Sequence, residues 1–228
     1  MVKSLVMNEP NTYGDQERAA VYRAIATRRD VRSGYLDVPL PDDLLRRLLA
    51  AAHSAPSVGL MQPSRFIVVR DLAVRTTIHG IFRDANAEAL ATYTGEHCDR
   101  YAALKLEGIL EAPQNLCVLC DPTSSRGHKL GRHTIPETAV YSTVCAIQNL
   151  WLAARTEGVG VGWVSILDPL RLRGVLNIPE HIIPVAYLCL GYVSHFASEP
   201  DLERHRWEKR VPLDEVVFYD SYAEEHKP

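Results

Sequence analysis

The sequence predicts a layered domain of α+β or α/β type, and three observations carry that expectation. Segments with apolar residues at helical spacing come first and then alternate with short apolar, β-branched runs from Phe66 onward. The chain is 228 residues long and 46% hydrophobic, enough for one full core. No internal repeat divides it.

Residues 15–28 place Ala19, Val21, Tyr22 and Ile25 at helical spacing, and the pattern breaks at Ser33-Gly34. Pro41-Asp42-Asp43 opens a second helix with acids in its first turn, Leu44, Leu45, Leu48, Leu49 and Ala52 on its buried face, and a stop at Ser54-Ala55-Pro56-Ser57. Phe66-Ile67-Val68-Val69 reads as a core strand. Residues 72–93 are helical in pattern, 95–100 look like an exposed connection, and 115–119 form the next strand. Residues 121–136 contain Gly127 and Gly131 without hydrophobic periodicity, and read as a long loop. The strongest helix spans 137–156. It is apolar around so much of its circumference that it belongs in the core or at a subunit interface. A strand follows over 158–165, Asp168-Pro169 starts a further helix, and 182–190 is another buried strand. The tail resumes an apolar pattern at Leu213, Val216, Val217, Phe218 and Tyr219. Residues 1–14 are expected to form a flexible N-terminal segment preceding a single domain.

Several function classes drop out. With 25 Lys+Arg against 28 Asp+Glu, the formal charge is −3, so no global field favours nucleic acid or an anionic membrane. No apolar run approaches a membrane span, and the N-terminal residues lack the apolar core of a signal peptide. A cytoplasmic protein is expected. Five cysteines scattered through apolar segments fit reduced, buried thiols. Cys117-Val-Leu-Cys120 has metal-site spacing, but neither a second Cys pair nor a close His pair accompanies it, so no metal is expected. His128 and His133 lie in the Gly-rich loop without ligand spacing.

The chemically distinctive segment is Arg28-Arg29-Asp30-Val31-Arg32. Arginine offers a planar fork of donors that suits phosphate oxygens, so three in five residues suggest an anion site. A surface ion-pair cluster at a helix end is the plainer explanation. The acid among the arginines demands a reason. The alternating glycines Gly158, Gly160 and Gly162 open a strand after a helix, the reverse of the dinucleotide fingerprint context. They suit a strand approached closely by another backbone or a flat ligand.

Taken together, Arg28-Arg29-Asp30-Val31-Arg32, Ala55-Pro56-Ser57-Val58-Gly59-Leu60-Met61-Gln62-Pro63, Gly160-Val161-Gly162-Trp163, Gly191-Tyr192 and Lys209-Arg210-Val211-Pro212-Leu213 resemble the ordered landmarks of the FMN-binding nitroreductase-like family. The resemblance covers nearly the whole chain. It implies an α+β fold with a central mixed sheet flanked by helices, shared between two subunits of a homodimer. It also implies that Arg28, Arg32 and Arg210 grip the ribityl phosphate of FMN, with Ser57 reaching across from the other subunit. Arg29, Asp30, Val31, Leu60, Met61, Leu106, Ser165 and Ile166 complete the implied flavin contacts.

Many family members carry Ser or Thr in place of Asp30, Asn in place of Leu60 and Trp in place of Ser64. Asp30, the block from Gly162 to Pro169, Lys105-Leu106-Glu107-Gly108-Ile109 and Tyr141-Ser142-Thr143-Val144-Cys145 instead resemble one branch that consumes its flavin. That resemblance implies oxygen-dependent fragmentation of reduced FMN (FMNH2) to 5,6-dimethylbenzimidazole, the cobalamin lower ligand, and erythrose 4-phosphate. Asp30 and Ser165 would be its catalytic residues, O2 the co-substrate, and a separate NAD(P)H-dependent flavin reductase the supplier. Residues 97–106 and 124–134 are candidate lids. The alternative is an FMN-dependent NAD(P)H oxidoreductase of nitroaromatics or quinones, in which flavin cycles intact.

Overall fold

The structure, a computed structural model, describes residues 12–222. The expected flexible segment therefore lies mostly outside the described residues. Four strands, β1 (Ser64–Val69), β2 (Gln114–Cys120), β3 (Val159–Val164) and β4 (Ile183–Tyr192), form one sheet in the order β1-β2-β4-β3. Every ladder in it is antiparallel. The mixed character expected of the sheet is confined to one parallel bridge, from Asp30 to Val161.

Side chains alternate between two apolar layers. Leu116, Val118, Leu188 and Leu190 face Leu44 and Leu48 of α2 (Asp42–His53) and Ile147, Leu150 and Trp151 of α5 (Thr138–Thr156). Cys117, Leu119, Tyr187 and Cys189 face Ile78 and Phe82 of α3 (Leu72–Leu90) and Leu172 of α6 (Pro169–Val175). Both faces are covered, which is why β2 is buried at all seven residues and reads as a continuous apolar run. Burial pushes the Cys117 thiol up to about 12, as befits an inert core side chain. Asp168 caps α6 as expected, its carboxylate accepting from the backbone N–H groups of Leu170 and Arg171.

Residues 95–100, expected as a connection, instead belong to a short helix, α4 (Gly95–Ala102). Its one buried residue, Tyr101, stacks on Tyr93 at 4.8 Å and meets Trp207 edge-on. The first helix, α1 (Asp15–Thr27), buries only Ala24 and leaves Val21, Tyr22 and Ile25 exposed. α5 divides between the two roles expected of it: its core face is buried while Tyr141 and Val144 are exposed. The apolar tail residues Leu213, Val216 and Tyr219 are exposed as well.

Candidate active site

The basic segment leaves α1 at Arg28, whose backbone turns extended. Two side chains from the last turns of α5 receive carbonyls the helix end leaves free: Arg155 Nε donates to Thr27 O at 3.2 Å, and Trp151 Nε1 donates to Arg29 O at 3.1 Å. The segment then lies along β3, with the Val31 N–H bonded to Val161 O at 3.0 Å. A Cβ on Gly162 would overlap the Val31 carbonyl oxygen. The glycine alternation in β3 thus admits a neighbouring backbone, one of the two readings its sequence allowed.

Asp30 is held on both carboxylate oxygens. Oδ1 accepts the Trp163 N–H at 2.9 Å and Oδ2 accepts Arg32 Nη2 at 2.7 Å. Burial raises its pKa above the ordinary carboxylate value, against the lowering influence of Arg32, the Trp163 N–H and Arg28. Ser165 is exposed two residues beyond Trp163, about 7 Å along the strand direction. It lines a cleft of about 310 Å³ with Trp163, Leu167 and Tyr187.

The arginines differ sharply. Arg28 sets its guanidinium over the Trp151 ring at 4.7 Å and makes no side-chain hydrogen bond to the described residues. Burial lowers its pKa, Asp30 opposes that, and the positive charge of Arg210, from the far end of the sequence, adds to the lowering. An unused guanidinium fork beside a second cation can receive an anion. Arg32 holds Asp30 and keeps its buried Nε without a partner. Arg29, by contrast, spends its fork on the carbonyls of Ala26, Arg28 and Ser198. Its side chain ties the segment to residues near 198, while its buried Nε, like that of Arg32, has no partner.

Other expected contacts lie elsewhere. Val31 and Met61 are buried, Met61 completely, and the N–H groups of both donate to backbone carbonyls, of Val161 and Val58. Leu106 and Ile166 are half-buried against the α3 side of the sheet. Ser57 Oγ accepts the Gln62 N–H at 3.1 Å, and the next N–H, of Val58, donates to Ser142 Oγ. Leu60 projects outward, 70% exposed. Ser142 and Trp151 lie nine positions apart on α5, about 14 Å along its axis. The Asp30 segment thus meets α5 at Trp151 and the Ser57 loop meets it at Ser142. Ser165 lines a separate cleft from the one at Asp30, shared with Val185, which packs on the cluster around Met61. Missed at the sequence level were Trp151, the Trp163 N–H and Tyr35. The unusual glycines beside Tyr35 were the available signal.

A family model for the nitroreductase family matches residues 25–192. The chain belongs to the nitroreductase family. Among its relatives, a 5,6-dimethylbenzimidazole synthase of Rhodospirillum rubrum is 49% identical over 185 residues, 81% of this chain and 87% of the relative. Another of that name, from Rhodobacter capsulatus, is 39% identical over 208 residues, 91% of this chain and 98% of the relative. A solved iodotyrosine deiodinase bound to FMN and 3-iodo-L-tyrosine shares the fold at a TM-score of 0.70 with 19% identity, covering 89% of this chain and 100% of that one. Within this family frame, the described residues contain no group of His, Cys, Asp and Glu arranged to hold a metal ion.

Proposed function

We propose that this chain, acting in the cytoplasm, uses O2 to fragment reduced FMN to 5,6-dimethylbenzimidazole and erythrose 4-phosphate. The observation that carries the reading is Asp30: a carboxylate placed amid arginines, hydrogen-bonded at both oxygens and open at one side, where a site built only to grip phosphate needs no acid. Two relatives, 49% and 39% identical over most of the chain, bear the name 5,6-dimethylbenzimidazole synthase, which supports the reading.

The residues present fit FMN. The open fork of Arg28 and the charge of Arg210 suit its phosphate, and the orphaned Arg32 Nε is a donor in want of an acceptor beside Asp30. Bound reduced FMN supplies the electrons that react with O2 and is itself the substrate. Asp30 exchanges a proton with a ribityl hydroxyl or a ring nitrogen, and Ser165 orients the oxygen side of the reaction. Leu106 and Ile166 line the apolar wall. The loop from Ser57 to Met61 enters from the partner subunit of a homodimer, a reading supported by its distance from Asp30 within one chain and by the exposed apolar faces of α1 and α5. Residues 97–106 and 124–134 close over the site and exclude water. A separate NAD(P)H-dependent reductase delivers FMNH2. The test is to mix protein, FMNH2 and O2 and quantify total flavin and benzimidazole by mass spectrometry. Loss of flavin matched by benzimidazole supports the reading; full recovery as FMN sinks it in favour of a cycling oxidoreductase.

A further inference from the structure

Three consecutive peptide groups surround Asp30, and each is fastened separately. The Arg29 carbonyl is taken by Trp151 Nε1 at 3.1 Å, and the N–H of Val31 by Val161 O at 3.0 Å. The Val31 carbonyl is taken by the hydroxyl of Tyr35, at 2.7 Å. The same hydroxyl lies 3.2 Å from Cys189 O, the longer contact, so its single proton serves Val31 first. Tyr35 sits in a slot that has room for it only because three elements carry glycine there. A Cβ on Gly108 would stand 2.7 Å from its Cε2, one on Gly191 2.9 Å from its Cδ1, and one on Gly162 3.2 Å from its hydroxyl. Its backbone bridges to Val193, so both ring and main chain are anchored to the continuation of β4.

Next to Asp30 the main chain meets β3 through one parallel bridge. Proton transfer demands that the carboxylate, itself bonded to the Trp163 N–H and Arg32, be held to close tolerance, so the fastening of the neighbouring peptides matters. We propose that Tyr35 is a positioning residue for Asp30: its hydroxyl, braced in the slot of Gly108, Gly162 and Gly191, locks the Val31 carbonyl and thereby sets the Asp30 carboxylate against the Trp163 N–H. Tyr35 itself touches no reacting atom. The inference rests on the catalytic reading of Asp30 given above.

The test compares Tyr35→Phe, which keeps the ring and loses the hydroxyl, with wild type and with Asp30→Asn. In flavin-free protein, hydrogen exchange of the 28–36 peptide is expected to quicken by about fivefold, in line with one lost hydrogen bond, while β2 and β4 peptides keep their rates. FMN affinity is expected to stay within about twofold, because the Arg28 and Arg210 grip is untouched. In turnover, benzimidazole formed per FMNH2 oxidised is expected to fall about fivefold, the remainder going to FMN and H2O2 by simple two-electron oxidation, FMNH2 + O2 → FMN + H2O2. A merely destabilised protein loses active fraction without changing that partition. Gly108→Ala, which presses on the ring and leaves the hydroxyl in place, is expected to move exchange and partition the same way. Unchanged exchange in Tyr35→Phe overturns the pin. Faster exchange with an unchanged partition, while Asp30→Asn yields no benzimidazole, overturns the positioning role alone. Normal benzimidazole yield from Asp30→Asn overturns the catalytic reading and the positioning role with it.

Discussion

At Asp30, burial and hydrogen bonding pull in opposite directions, and burial prevails: the carboxyl titrates above its ordinary value. The sign for stability follows. A carboxyl that binds its proton more tightly when folded makes the folded state lose stability as pH rises from the unfolded value through the raised one. Asp30→Asn removes that loss, so the Tm of the variant minus that of wild type, both flavin-free, is expected to be more positive at pH 7 than at about pH 4. Thermal melts at the two pH values check this, and a flat difference contradicts it. The arginines separate by partner in the same way. Arg28 has an open fork, so Arg28→Ala is expected to weaken FMN binding by about 10- to 100-fold, the worth of a charge-assisted contact of ~1.5–3 kcal/mol. Arg29 is tied to three carbonyls, so Arg29→Ala is expected to lower Tm more than it alters contacts to phosphate. Fluorescence titration and melting of both variants distinguish the two roles.

At the level of elements, β3 works as a platform: its glycines let the Asp30 segment lie against it, and its Trp163 N–H receives the carboxylate. Gly162→Ala drives a methyl into the Val31 carbonyl and is expected to cost ~1–3 kcal/mol, a fall in Tm of roughly 2–12 °C for a chain of this size. The change displaces Asp30, so benzimidazole yield should fall along with Tm. A melt paired with a product assay checks both. The helices were legible in the sequence because one apolar face repeats every 3.6 residues, as in α2 with Leu44, Leu45 and Leu48. Strand direction was not legible. β2 and β4 are covered on both faces, and an apolar run that is buried throughout carries no mark of parallel or antiparallel pairing. α4 escaped notice because it is polar, and its apolar partner Trp207 lies over a hundred residues away. The Arg/Asp cluster was visible as charge spacing. Which arginine stays free was not, since Arg29 is consumed by a carbonyl at Ser198 that only the fold brings near.

For the whole molecule, the two halves of the proposed site stand at opposite ends of α5, and α1 leaves Val21, Tyr22 and Ile25 uncovered. The proposed homodimer would bring the Ser57 loop of a second copy to the Asp30 segment. Light scattering on the 25.5 kDa chain is expected to return about twice that mass, and a monomer that still binds FMN tightly contradicts shared construction. The measurement that bears most directly on the central claim is flavin balance in a single turnover. Protein in excess over FMNH2 is exposed to O2, and flavin and benzimidazole are then counted. Disappearance of flavin in step with benzimidazole, abolished in Asp30→Asn, is the predicted result. Recovery of all the flavin as FMN from the wild-type protein contradicts it.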